Sequence, residues 1–236
     1  MDILKPTLVA KDRTGAAKIP KPVEFPAPEA ENLRLVRGRP LLIVDVDEVL
    51  GLFIEGFERF VIAQGFEFRL DRFALFQNIY RPGEADHLPV ADGRRLFDDF
   101  FGTACGELTP APGGAEALRA LSAGAQVVIF TNAPSQARGL RAQWLARHGL
   151  DYPMLLGSGP KGPATAELAR RADAPAAFID DLLPNLDSVA ESAPQVATFQ
   201  HVADPRLRPL APSAPDRHPR IDDWAELATA VERALR

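Results

Sequence analysis

Asp45 and Asp47 stand two residues apart at the end of an apolar run, Leu41-Leu42-Ile43-Val44. Carboxylates so placed can hold a divalent cation, attack a substrate or trade protons with it. Three more blocks of chemistry-bearing residues follow along the chain. Thr131 and Asn132 end the run VVIFTN, Lys161 lies in GPKGPATAEL, and Asp180, Asp181 and Asn185 lie in FIDDLLPNL. Together they offer a hydroxyl, amides, a compact cation and a second pair of acids, a set suited to an anionic substrate. A DxD alone is a weak signal, so the elements around it decide its meaning.

Those elements read as an α/β fold. The run before Asp45 has no polar alternation, as in a strand buried in a parallel sheet, here over 41–46. Open sheets of this kind bind ligands at the carboxyl ends of their strands. Residues 126–130, 154–156, 176–179 and 196–199 read as further strands. They alternate with helices over 115–122, 135–148 (closed by Gly149) and 163–172, which predicts a parallel sheet with helices on its faces. A proline-rich loop, 205–219, precedes a last helix with Asp222 and Asp223 in its first turn. Its core-facing side is predicted to be Trp224, Leu227, Ala228, Val231 and Leu235. The α/β core is thus assigned to 39–50 and 110–236.

Residues 51–109 differ. Most of the chain's 14 phenylalanines lie there. Phe53, Phe57, Phe60 and Val61 predict a helix over 52–64 ended by Gly65. Phe73, Phe76, Ile79 and Tyr80 repeat the helical spacing, as do Leu96, Phe97, Phe100 and Phe101, so a small helical subdomain with an aromatic core is expected. Arg69, Arg72, Arg81, Arg94 and Arg95 could meet an anionic substrate, although arginines on such a subdomain are usually solvated. Residues 1–38 read as a Pro-rich arm, expected to pack on the domain surface or, alternatively, to bind a partner or bridge a homodimer.

The 27 Lys and Arg against 32 Asp and Glu give a net charge of −5. Residues 1–39 hold eight basic and five acidic side chains, so the remainder is more acidic still. No nucleic-acid partner is expected from this balance. Cys105 is the single cysteine, the start lacks an apolar signal region, and no apolar stretch reaches membrane-spanning length, so a cytoplasmic protein without a membrane partner is expected. Of five lysines, four lie in the arm; Lys161 alone lies in the predicted core, among arginines. A lone lysine there suggests a need for a compact ammonium.

An apolar strand ending DxDxV, a strand ending in Thr, a lysine before a helix and a strand ending DDxxxN resemble, in that order, the motifs of the haloacid dehalogenase-like (HAD) superfamily. The resemblance covers about residues 40 to 200. It implies a Rossmann-like three-layer sandwich, with 51–109 as a helical cap inserted after the first strand. It implies a magnesium-dependent phosphatase (a phosphoric monoester hydrolase) acting on a small phosphorylated metabolite. Asp45 would be the nucleophile that forms an aspartyl-phosphate, and Asp47 the general acid and base; the chain must turn there for both to serve. Mg2+ would be held by Asp45, the Asp47 carbonyl and an acid of the fourth block, with Asp181 favoured as the direct ligand and Asp180 as the water-mediated one. Thr131, the Asn132 N–H and Lys161 would bind the phosphoryl group, and Asn185 would orient the acids. Glu48 stands where many members carry Gly or another small residue, adding charge beside the nucleophile, and Val49 replaces a commoner Thr.

Plainer readings exist for each residue. Thr131 could cap the following helix, Asp180 and Asp181 could be loop acids at a helix N-terminus, and Lys161 could be an ordinary charge there. His87, His148, His201 and His218 have no metal-ligand spacing and read as structural or surface residues. A phosphotransferase would use the same site, and a non-catalytic binding protein on this fold is the alternative from another class.

Overall fold

The computed structural model describes residues 30–236; most of the predicted arm, residues 1–29, lies outside them. Five strands form one parallel sheet: β1 (Leu41–Val44), β4 (Gln126–Asn132), β5 (Met154–Gly157), β6 (Ala176–Asp180) and β7 (Ala197–Gln200). Their spatial order is β5-β4-β1-β6-β7, with β1 central. Val44 lies opposite both Ile129 and Ile179. The strand with the two aspartates therefore ends between the strands that carry the second and fourth blocks.

Strand alternation splits the core in two. Leu42, Val44, Val127, Ile129, Ala177 and Ile179 join one cluster, which also packs Leu118, Trp224 and Leu227 and, from the inserted segment, Phe53, Phe57 and Phe100. Leu41, Ile43, Val128, Phe130, Ala176 and Phe178 join the other, with Leu168 and Leu186. The elements supplying these layers are α3 (Gly114–Leu121) and α7 (Trp224–Ala234) on the first face, and α5 (Gly162–Ala172) and α6 (Leu183–Ser192) on the second. α4 (Arg138–Arg147) follows a 3-10 turn over Ser135–Ala137, so the predicted helix over 135–148 is real but begins with a tighter turn. Asp223 caps α7 through its carboxylate, which accepts from the Ala225 and Glu226 N–H groups; it precedes the first turn rather than lying in it. The sequence reading gave α6 no range, although it weighed a helix N-terminus after Asp181; Pro184 lies in the first turn, where Pro is at home.

The inserted segment contains α1 (Phe53–Ala63) and α2 (Val90–Thr103). Phe100 sits 5.5 Å from Phe57 and 5.6 Å from Phe53, with edge-to-face rings. Between the helices the expected helical repeat is not found. Glu67–Phe68 (β2) and Ile79–Tyr80 (β3) pair as an antiparallel ribbon, and only Phe76–Asn78 makes a 3-10 turn. Short apolar runs do not distinguish the two periods, and a β-branched residue beside an aromatic suits a strand. The buried Asn78 amide holds the preceding loop by donating to the Arg72 and Ala74 carbonyls at 3.1 and 2.7 Å. The two linkers to the core run side by side, with Leu52 N–H donating to Thr109 O and Ala111 N–H to Leu50 O.

Gly162 opens α5 directly beside Lys161. Its N–H donates to Ser188 Oγ at 3.0 Å, and a Cβ there would overlap the Ser188 backbone carbonyl of α6. Gly162→Ala is expected to push the two helices apart and cost about 1–3 kcal/mol, as overpacking does. Urea unfolding measures this; an unchanged midpoint and slope would contradict so close a contact.

Candidate active site

β1 ends at Val44, two residues earlier than expected. The Leu50 and Gly51 N–H groups both donate to Val46 O, at 2.8 and 2.9 Å, and this turn takes the chain out of the sheet. Asp45 still donates its N–H to Ile179 O at 3.0 Å, so its carboxylate emerges beside that of Asp180. Lys161, at the N-terminus of α5, lies between them. Its Nζ is 2.7 Å from Asp180 Oδ2 and 2.9 Å from Asp45 Oδ1, and it is wholly buried over the rings of Phe130 and Phe178.

Asp180 is fully engaged. One oxygen accepts from the Leu182 N–H at 2.9 Å, the other takes Lys161, and the Asn185 amide bridges both at 3.0 and 3.1 Å. Asp181 has no such set of partners. Its backbone carbonyl accepts from Gln200 Nε2 at 2.9 Å, while its carboxylate joins those of Asp45 and Asp180 in a group with oxygens all within 4.8 Å. Among the described residues this is the cluster with metal-ligand character. Thr131 Oγ1 is buried without a hydrogen-bond partner, and Asn132 donates its side-chain amide to Gly159 O at 2.8 Å. Asp45, Lys161, Asp180, Asp181 and Asn185 thus come together, while Thr131 and Asn132 end the neighbouring strand β4 and Asp47 lies in the turn beyond β1.

Electrostatics mark the cluster as built for more charge than it holds. Burial, aided by the charges of Asp180 and Asp47 and opposed by Lys161, pushes the Asp45 carboxyl up to about 7. Burial and the neighbouring acids Asp180, Asp45 and Glu48 push Asp181 well above the usual carboxylate range. For Lys161 burial works the other way, but Asp180 and Asp45 outweigh it and raise its pKa. Asp45 Oδ1 is paired with the Lys161 ammonium at 2.9 Å. Three crowded oxygen donors, two of them reluctant to ionise together, fit a hard divalent cation.

Two residues at the site were not singled out for the part they play. Arg141, on α4, is fully buried and donates from Nη2 to Asp47 Oδ1 at 2.7 Å. Its signal was present in the sequence: it shares a helical face with Ala137, Trp144 and Leu145, all buried, where an apolar residue belongs. Glu48 is buried rather than free. Its backbone is left-handed, with φ 58°, a conformation that glycine adopts most readily. Its carboxylate accepts from the Ile54 N–H at 2.7 Å and the Asp204 N–H at 3.1 Å, tying the start of α1 to the core. Burial pushes its pKa up to about 7 despite those two amides.

The cap arginines are engaged elsewhere. Arg69, Arg72, Arg81 and Arg95 pair with Glu67, Asp71, Glu84 and Asp92, and Arg94 lies over the Phe76 ring. The histidines make structural contacts: His148 with Trp144, His201 with Trp224, His87 with the Leu88 carbonyl, and His218 with Thr198 and Asp187. No helix among the described residues is long and apolar enough to cross a membrane.

No protein-family model and no curated protein sequence matches this chain. Solved structures do. A haloacid dehalogenase-like hydrolase from Xanthomonas campestris superposes with a TM-score of 0.56 at 15% identity, over 85% of this chain and 97% of that one. One from Burkholderia xenovorans LB400 gives 0.54 at 15% identity, over 85% of this chain and all of the other. The HAD-hydrolase YfnB of Bacillus subtilis, bound to magnesium, gives 0.54 at 16%, over 83% and 99%. The chain has the fold of the HAD-like hydrolases.

Two outcomes follow from the raised carboxyls. A cation held by Asp45 and Asp181 competes with their protons, so magnesium chloride should raise the melting temperature little at about pH 5 and more beyond about pH 7. At roughly 100 times its Kd the stabilisation is about 2.7 kcal/mol, or roughly 5–10 °C at this size. Equal shifts at both pH values, or none, would contradict such a site. The Glu48 contribution, full below its unfolded pKa of 4.5, is lost as pH rises through about 7. Glu48→Gln should therefore gain in melting temperature relative to the parent between about pH 5 and about pH 8, and a constant difference would count against a raised pKa.

Proposed function

We propose that the protein is a magnesium-dependent phosphatase that hydrolyses a small phosphomonoester through an aspartyl-phosphate on Asp45. The observation that carries this reading is Lys161, buried between Asp45 and Asp180 with Asp181 beside them. An ammonium there holds one carboxylate as a nucleophile and leaves positive charge for an arriving phosphoryl oxygen.

In this reading Asp45 attacks phosphorus and the P–O bond to the leaving group breaks. Lys161, the idle Thr131 hydroxyl and the Asn132 N–H bind the phosphoryl oxygens. Asp47 gives its proton to the leaving oxygen, then takes one from the water that attacks the acyl phosphate. Phosphate leaves and Asp45 is restored. The residues that would hold magnesium are Asp45, the Asp47 carbonyl and Asp181; Asp180, with both oxygens engaged, would reach it through water. When bound, magnesium would supply the charge neutralisation that lets a dianionic substrate approach three carboxylates. The cap would cover the site and select the metabolite.

The test is phosphate release from p-nitrophenyl phosphate and a panel of phosphometabolites, with and without magnesium. Asp45→Asn is expected to lose about three orders of magnitude or more in kcat with its fold intact by circular dichroism. Equal background release from both proteins would overturn the reading.

A further inference from the structure

Arg141 is a buried cation whose visible work is one hydrogen bond. It is completely buried in the middle of α4, Nη2 donates to Asp47 Oδ1 at 2.7 Å, and Nε and Nη1 have no hydrogen-bond partner. Its guanidinium carbon lies 5.7 Å from the Phe101 ring of the cap. Withdrawing a guanidinium from water costs several kcal/mol, and an apolar side chain in its place is often as stable or more so. Two idle buried donors add to that cost. Stability alone therefore gives little reason for an arginine at this position. A directional task does: its charge-assisted hydrogen bond holds Asp47 Oδ1 in place.

Asp47 needs such fixing. It sits in the turn beyond β1, near the charges of Asp45 and Glu48, and its side chain is 19% exposed whereas that of Arg141 has no access to solvent. In a two-step phosphatase the leaving oxygen departs from, and the water later arrives at, the same face of phosphorus, opposite Asp45. One carboxylate in one place can serve both proton transfers only if it stays in place.

We infer that Arg141 is the positioning residue for Asp47, holding its carboxylate where it meets the leaving oxygen and then the attacking water. This rests on the phosphatase reading for its chemistry, though the contact itself does not. A good leaving group such as p-nitrophenolate needs little protonation, whereas an alkoxide needs a great deal. A positioning role therefore predicts an uneven loss. Arg141→Met should lower kcat/KM on the best alkyl phosphomonoester of the panel by about 100-fold, but on p-nitrophenyl phosphate by less than about 10-fold. KM should change little. Asp47→Asn should show the same unevenness, and Arg141→Lys should recover part of the loss.

Equal losses on both substrates, or no loss, would overturn the inference. If Arg141→Met does not fold, Arg141→Lys against the parent carries the same comparison. Crystal structures of the parent and the folded variant provide an arm without turnover. A displaced Asp47 carboxylate in the variant supports the positioning role, and an unmoved one overturns it. If the parent releases phosphate from neither substrate, the phosphatase reading falls while the crystal structures still decide what Arg141 does.

Discussion

A lysine ammonium without access to water, held between two carboxylates at 2.7 and 2.9 Å, is the constraint on which the rest of the structure depends. Isolated, any of the three groups would be costly to bury as an ion. Together they are stable only if three elements meet to a fraction of an ångström: the end of β1, the end of β6 and the start of α5. The sheet register delivers the two acids, since Val44 opposite Ile179 puts Asp45 beside Asp180. The close approach of α5 to α6 at Gly162 delivers the lysine, and Asn185 on α6 ties the second acid to the same helix pair. Packing on that face thus fixes the charge geometry at its rim.

The residues at this rim were legible because of their neighbours. The short apolar runs before Asp45, Thr131 and Asp180, rich in β-branched or aromatic residues and alternating with helical segments, suit buried strands, and a polar residue that ends one stands at the sheet's edge. Lys161 was legible by contrast with the arginines around it. The ribbon over 67–80 was not, because Phe73, Phe76, Ile79 and Tyr80 fit a helix as well as a strand, and the decision came from pairing with Glu67–Phe68 and from the Asn78 amide, both tertiary facts. α6 was legible only as a helix N-terminus after Asp181, without a range. Arg141 was hidden by habit: an arginine on a helix reads as solvated, and only its register with Trp144 and Leu145 says otherwise.

The two sides of the site differ in how they treat charge. On the α5 side an acid-rich cluster is short of positive charge, with Asp45 and Asp181 both pushed toward protonation. On the α4 side a single acid, Asp47, meets a cation that has donors to spare. A phosphoryl group arriving between them would bring negative charge, and a cation on the α5 side would relieve what the lysine alone cannot. The imbalance is local, and the net charge of the chain gives no hint of it.

The turn between these sides carries a further burden, because the cap is inserted at its end. Residues 46–51 must leave the sheet, place Asp47 and enter α1 within six positions. Glu48 takes the left-handed conformation this requires, a strain of about 1–3 kcal/mol for a residue other than glycine. Glycine would relieve it but would leave the Ile54 and Asp204 N–H groups without their acceptor. Arg206 repeats the tie one turn farther along, bridging Glu58 of α1 to Asp204 of the core. Strain at one residue is thus offset by hydrogen bonds that join α1 to the core, and it lies next to Asp47. The same six residues then settle both how Asp47 is presented and how the cap is anchored, so a change in either is felt by the other.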